Sequence, residues 1–124
     1  MATLNRVQLI GRLGKDPETR YTPSGKKVTS FSLAVDWRKK GEDGEAKEGA
    51  DWFNIEAWGH LGEICQEYLT KGRLVFLEGR LKTDRYEQDG ETRYFTKVVI
   101  SMMQILDRRP EEKPAEVEEE FPFG

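Results

Sequence analysis

Cysteine and histidine are almost missing from this chain: Cys65 and His60 stand alone among 124 residues. One thiol cannot close an internal disulfide, and on a helical pattern it reads as a small buried hydrophobe. No glycine loop of the phosphate-cradling kind and no Ser/His/Asp order is present, so neither a catalytic constellation nor a metal or cofactor is expected. Glu56 and Glu78 on adjacent strands have the chemistry of an acid/base or metal-binding pair, but pairing with Arg80 or Lys82 across strands is the plainer expectation. His60 precedes a helical pattern and reads as a capping or surface residue. No apolar run approaches the length of a bilayer span, so no membrane contact is expected. The opening Met-Ala-Thr-Leu-Asn-Arg-Val lacks the pattern of a secretory signal, which gives a cytoplasmic expectation.

What is present is charge, and it is unevenly placed. With 36% hydrophobic and 35% charged residues, the chain has room for one domain with a modest core and a short appendage. Residues 1–106 hold 17 Lys/Arg and 16 Asp/Glu, a net of +1, whereas residues 107–124 hold 3 and 7, a net of −4. The net charge of −3 therefore says little about the folded part, because the acidity lies in the tail.

Residues 51–58, Asp-Trp-Phe-Asn-Ile-Glu-Ala-Trp, divide by parity into two sets. As a β-strand they point Phe53, Ile55 and Ala57 inward and Trp52, Asn54, Glu56 and Trp58 outward. Two outward indoles among polar groups suit a platform on which a flat π-surface stacks. The competing reading is a second sheet or subunit covering both rings.

The remaining strands follow the same logic. Residues 5–13 alternate Val7 and Leu9, with Gly11 marking a bulge or tight bend. Turn residues at 14–17 and 23–25 flank a short extended segment around Tyr21. Residues 28–37 set Phe31, Leu33 and Val35 against Ser30, Ser32, Ala34 and Asp36, which puts Trp37 on the core side by parity. Residues 38–50 offer no apolar anchor larger than alanine and read as a mobile charged loop. Leu61, Ile64, Cys65 and Tyr68 form the stripe of a short helix that Gly72 ends. Residues 74–86 place Val75, Leu77, Gly79 and Leu81 inside and Glu78, Arg80, Lys82, Asp84 and Tyr86 outside, with Phe76 an apolar exception on the outer side. Asp89-Gly90 signals a hairpin into a strand over residues 92–105, with Val98 and Ile100 in the core. Five strands with one helix between the third and fourth predict an all-β, five-stranded OB-fold barrel.

Four stretches carry a resemblance to a known family: residues 9–18 (Leu-Ile-Gly-Arg-Leu-Gly-Lys-Asp-Pro-Glu), 51–59, 67–72 (Glu-Tyr-Leu-Thr-Lys-Gly) and 76–81 (Phe-Leu-Glu-Gly-Arg-Leu). In this order, over roughly residues 4–106, the chain resembles bacterial single-stranded DNA-binding proteins. The resemblance implies a sequence-tolerant binder of single-stranded DNA, a homotetramer of OB-folds associated with the nucleoid. It implies base stacking on Trp37, Trp52, Trp58 and Tyr86. Trp37 enters on the resemblance alone, whereas parity already turns the other three outward. Trp58 stands where the family commonly has phenylalanine and Tyr86 where it has tryptophan, and both stay aromatic.

A polyanion also needs cations. Arg6, Lys15, Arg20, Lys26, Lys27, Lys71 and Arg73 are candidates, and Arg38, Arg80, Lys82 and Arg85 are preferred because they neighbour the proposed rings. On this reading Glu56 and Glu78 repel phosphate, and the bound strand runs beside them. An OB-fold accessory protein acting on RNA or at a primosome would share the fold. The division expected is a domain over residues 1–106 and a disordered acidic tail over 107–124. The resemblance extends to the tip Glu118, Glu119, Glu120, Phe121, Pro122 and Phe123, implying recruitment of replication and repair proteins. Gly124 follows Phe123 where the family ends on phenylalanine.

Overall fold

The computed structural model describes residues 1–107. The described elements are β1 (Val7–Leu13), β2 (Glu18–Tyr21), β3 (Lys27–Lys40), β4 (Ala46–Trp58), α1 (Gly59–Tyr68), β5 (Leu74–Gln88) and β6 (Glu91–Ile105). The sheet runs β1-β5-β6-β4-β3-β2, and β1 pairs again with β3 through Arg12↔Ala34 and Leu13↔Leu33. That second pairing closes β1, β5, β6, β4 and β3 into an OB-fold barrel, and β2, the extended segment around Tyr21, hangs on β3 as an edge.

Closure depends on glycine at two points. A Cβ at Gly11 would lie 2.3 Å from the Ala34 carbonyl oxygen, at the place where β1 passes from β5 to β3. The β1–β5 ladder runs through Gly11 without a shift of register, so close approach of backbone is the reason for this glycine, and no bulge lies there. The bulge is on β6: Glu78 faces Met102 and Gly79 faces Ile100, leaving Ser101 unpaired. A Cβ at Gly79 would meet the Val99 carbonyl oxygen at 2.1 Å. Inward parity on β6 changes at Ser101, and Val98, Ile100 and Met103 are all buried.

Alternation fills the barrel with Phe31, Leu33, Ile55, Ala57, Val75 and Leu77, and α1 adds Ile64 and Cys65 against the same cluster. Burying a side chain such as Leu33 or Leu77 contributes roughly 1.5–3 kcal/mol. Burial pushes the Cys65 thiol up to about 12, so it stays an inert core group. Gly62 lets α1 approach: a Cβ there would meet the Ala57 carbonyl oxygen at 2.5 Å.

Three expectations are corrected. Residues 38–50 are not a loose loop, because β3 and β4 stay paired out to Lys40↔Ala46 and only the turn between them is irregular. Gly72 does not end the helix: Leu69 caps it, donating to the Cys65 carbonyl, and Gly72 lies further on at φ +91°, in the turn that leads to β5. Leu81 keeps inward parity opposite buried Val98 but is 44% exposed, since β5 has by then run past the packed interior. The Asp89-Gly90 hairpin has positive φ at both residues, 54° and 78°, as a primed two-residue turn requires. At the boundary of the folded part, Asp107 pairs with Arg12 at 3.2 Å and with buried Arg73 at 3.3 Å.

Candidate nucleic-acid interface

The register of β3 and β4 builds the first wall. Trp52 lies opposite small Ala34, Asn54 opposite Ser32 and Glu56 opposite Ser30, whereas Trp58 is half-buried opposite fully buried Val28. Trp52 is 62% exposed, and its ring lies over Gly14, where a Cβ would sit 2.4 Å from Trp52 Cζ3. The Gly14 amide donates to the Ser32 carbonyl at 3.0 Å, which docks the segment carrying Lys15 beside this wall.

The second wall comes from β5 and β6. Residues directly opposite in an antiparallel pair share a face. Arg80↔Val99, Lys82↔Lys97, Asp84↔Phe95 and Tyr86↔Arg93 therefore form one side of the hairpin, and Arg85↔Tyr94 the other. Between the walls lies a groove of about 360 Å³ whose lining includes Lys15, Arg20, Ser32, Asn54, Phe95 and Lys97.

Glu56 departs from its sequence expectation. It faces the groove by parity but is only 6% exposed, because charged and aromatic groups close over it. Its Oε1 accepts from Trp58 Nε1 at 3.2 Å, and its Oε2 accepts from Lys97 Nζ at 2.9 Å and from Arg20 Nη2 at 3.5 Å. Lys97 also reaches Asp84 Oδ2 at 2.7 Å. Neither acidic residue pairs with Arg80 or Lys82 as expected: Glu78 instead accepts from Gln8 Nε2 at 2.7 Å. The hydrogen bond from Lys97, reinforced by the charges of Lys97 and Lys82, holds the Asp84 carboxyl below its usual range. Burial alone would push Lys97 down, but hydrogen bonds and charge from Asp84 and Glu56 outweigh it and hold the ammonium above the usual lysine range.

Not every sequence-derived candidate faces this groove. By register Trp52 and Trp58 share the outward face of β4, and Arg80, Lys82 and Tyr86 the corresponding face of β5, flanking the groove without being among the residues that line it. Arg85 turns to the reverse of its hairpin with Tyr94, which is 66% exposed. Trp37 is exposed on the core-parity side of the β3–β4 ribbon, the side opposite Trp52, with its indole over its cross-strand partner Gly49. Arg38 shares the parity of Ala34 and pairs with Glu48 at 3.5 Å. Phe95 and Lys97 were missed, although counting alternately back from Val98 turns both outward. Glu118, Glu119, Glu120, Phe121, Pro122 and Phe123 lie outside the described residues. Among the described residues no group of three His, Cys, Asp or Glu side chains could hold a metal ion, and no helix is long and apolar enough to cross a membrane.

A closed OB barrel with exposed rings and cations along one groove defines a barrel of the oligomer-binding class. The model of the single-strand binding protein family matches residues 4–106, and the chain belongs to that family. It is similar to the single-stranded DNA-binding protein of Thermotoga maritima, 43% identical over 122 residues that cover 98% of this chain and 86% of that protein. Single-stranded DNA-binding protein 1 of Chlorobaculum tepidum is 46% identical over 105 residues, 83% of this chain, and the match spans 65% of that relative's length. Among solved structures, the Plasmodium falciparum SSB complex with ssDNA superposes with a TM-score of 0.79 at 29% identity, covering 86% of this chain and 98% of that one.

Proposed function

We propose that this chain binds single-stranded DNA with little sequence preference and coats and protects it during replication, recombination and repair. It works in the cytoplasm as a homotetramer and recruits partner enzymes through the acidic tail. The observation that carries this reading is a groove lined by Phe95, Lys15, Arg20 and Lys97, with exposed Trp52 on the β3–β4 wall and Arg80 and Lys82 on the β5–β6 wall that flank it. Unpaired bases offer a π-face whatever their identity, while phosphates meet the cations between the rings, so the chemistry favours single strands over duplex and is tolerant of sequence. The names of the Thermotoga and Chlorobaculum relatives support the same reading.

Tryptophan fluorescence titrated with poly(dT), poly(U) and duplex DNA, with the solution mass measured alongside, tests the proposal. Strong quenching by poly(dT) and a mass of four chains are expected. An equal response to poly(U) would favour an RNA-binding or primosome accessory protein, and no response to any polymer would overturn the DNA reading. Affinity should fall with salt, log K against log salt having a slope of about −0.7 for each phosphate neutralised.

A further inference from the structure

Glu56 is a carboxylate where a polyanion is proposed to bind, yet it is almost fully buried beneath the groups it contacts. Oε1 takes the Trp58 indole N–H, and Oε2 takes Lys97 and Arg20. Trp58 is the last residue of β4 and the N-cap of α1, with extended backbone, so strand and helix hold its Cα while the ring plane needs a further restraint. The indole N–H supplies one, because it is a single directional donor and Glu56 lies two residues back on the same face.

We propose that Glu56 is a positioning residue of the DNA groove: it fixes the edge and plane of the Trp58 indole and ties Lys97 into the floor. The two cations on its other oxygen then have different parts. Lys97, with its side chain 10% exposed and held by both Glu56 and Asp84, is a structural cation. Arg20, with its side chain 58% exposed and at the longer distance of 3.5 Å, is the cation free to exchange Glu56 for an arriving phosphate. Breaking the Lys97 contact would leave buried Glu56 with only the longer contact to exposed Arg20, whereas release of Arg20 leaves Lys97 in place.

The orientation claim stands without DNA, and only the affinity test rests on the proposed function. Glu56→Gln keeps an oxygen acceptor for the indole, and Glu56→Ala removes it. In a ¹H–¹⁵N spectrum of the free protein, the indole peak that disappears in Trp58→Phe should move in both Glu56 variants, while those of Trp37 and Trp52 stay. Poly(dT) should bind Glu56→Gln about three- to tenfold more tightly than Glu56→Ala. That difference should shrink in a Trp58→Phe background, whose ring has no N–H, to what the Lys97 contact alone contributes. An unmoved Trp58 peak in Glu56→Gln would overturn the proposal even if the alanine variant fails to fold. A Gln/Ala difference of undiminished size in Trp58→Phe would overturn it as well, since none of the effect would then pass through the indole. If the peak moves as expected but even the unmodified chain ignores poly(dT), it is the DNA reading that fails.

Discussion

Trp52 exposes most of its indole and rests on backbone at Gly14, so its removal leaves no cavity in the core. Trp52→Ala should therefore weaken single-strand binding by about 1–3 kcal/mol while the thermal midpoint stays nearly constant, as a calorimetric scan beside a poly(dT) titration would show. A variant that unfolds or dissociates with intrinsic affinity unchanged would instead mark an interface ring. Asp84 and Lys97 make a second prediction at this scale, through linkage. The Asp84 carboxyl is lowered in the folded state, so its contribution to stability is complete above the unfolded carboxylate value of about 3.9 and disappears as pH falls through the folded one. Lys97 is raised, so its contribution is complete below about 10.4 and is lost as pH rises through its folded value. The difference in thermal midpoint between wild type and Asp84→Asn should be widest near neutrality, begin to narrow below about pH 3.9, and close once pH has fallen through the lowered folded value, where the protonated aspartate resembles asparagine. A difference independent of pH across the acid range would mean that the Lys97 contact does not stabilise the fold.

The β3–β4 ribbon shows where pattern reading works and where it stops. Within the barrel, alternation identified Phe31, Leu33, Ile55 and Ala57 as core because burial on one face selects apolar residues at every second position. Beyond Trp37 no core remains to impose a pattern, so Arg38 to Lys40 and Ala46 to Ala50 look like a loop in sequence, yet they inherit their pairing from the barrel end of the same ladder. The OB topology was legible because it depends on strand count, helix position and turn residues. The placement of Glu56 was not, because its burial comes from Arg20, Trp58 and Lys97, and Arg20 and Lys97 belong to strands far apart in sequence. Trp37 and Gly49 add a test at the level of this element. A Cβ at Gly49 would lie 2.6 Å from Trp37 Cζ2, and nothing in the backbone there demands glycine. Gly49→Ala should displace the indole and weaken poly(dT) binding by less than Trp37→Ala does. The double variant should match Trp37→Ala alone, because the glycine acts only through the ring. Additive losses would show that Gly49 matters for the arm itself.

Across the whole molecule, charge is separated along the chain, and that separation yields a prediction about competition between the acidic tail and DNA. Residues 111–124 contain six glutamates and one lysine, a net of −5, so their removal takes the chain from −3 to +2. A chain ending at Pro110 should bind poly(dT) with equal or slightly higher affinity at low salt. The gain should fade by about 0.15 M ionic strength, where the Debye length is about 8 Å and charges further apart than that are largely screened. Partner recruitment should respond to different residues. Phe121 and Phe123 offer apolar anchors and Pro122 restricts the segment between them, which lowers the entropy lost on docking. Phe123→Ala alters no charge, so it should leave the poly(dT) titration unchanged while abolishing capture of replication and repair proteins. Comparing the full chain, Phe123→Ala and the shortened chain in both assays separates the two contributions. If the shortened chain loses DNA affinity, the tail supports the groove and does not compete with it. If all three chains capture partner proteins equally, the acidic segment acts only as a solubilising charge.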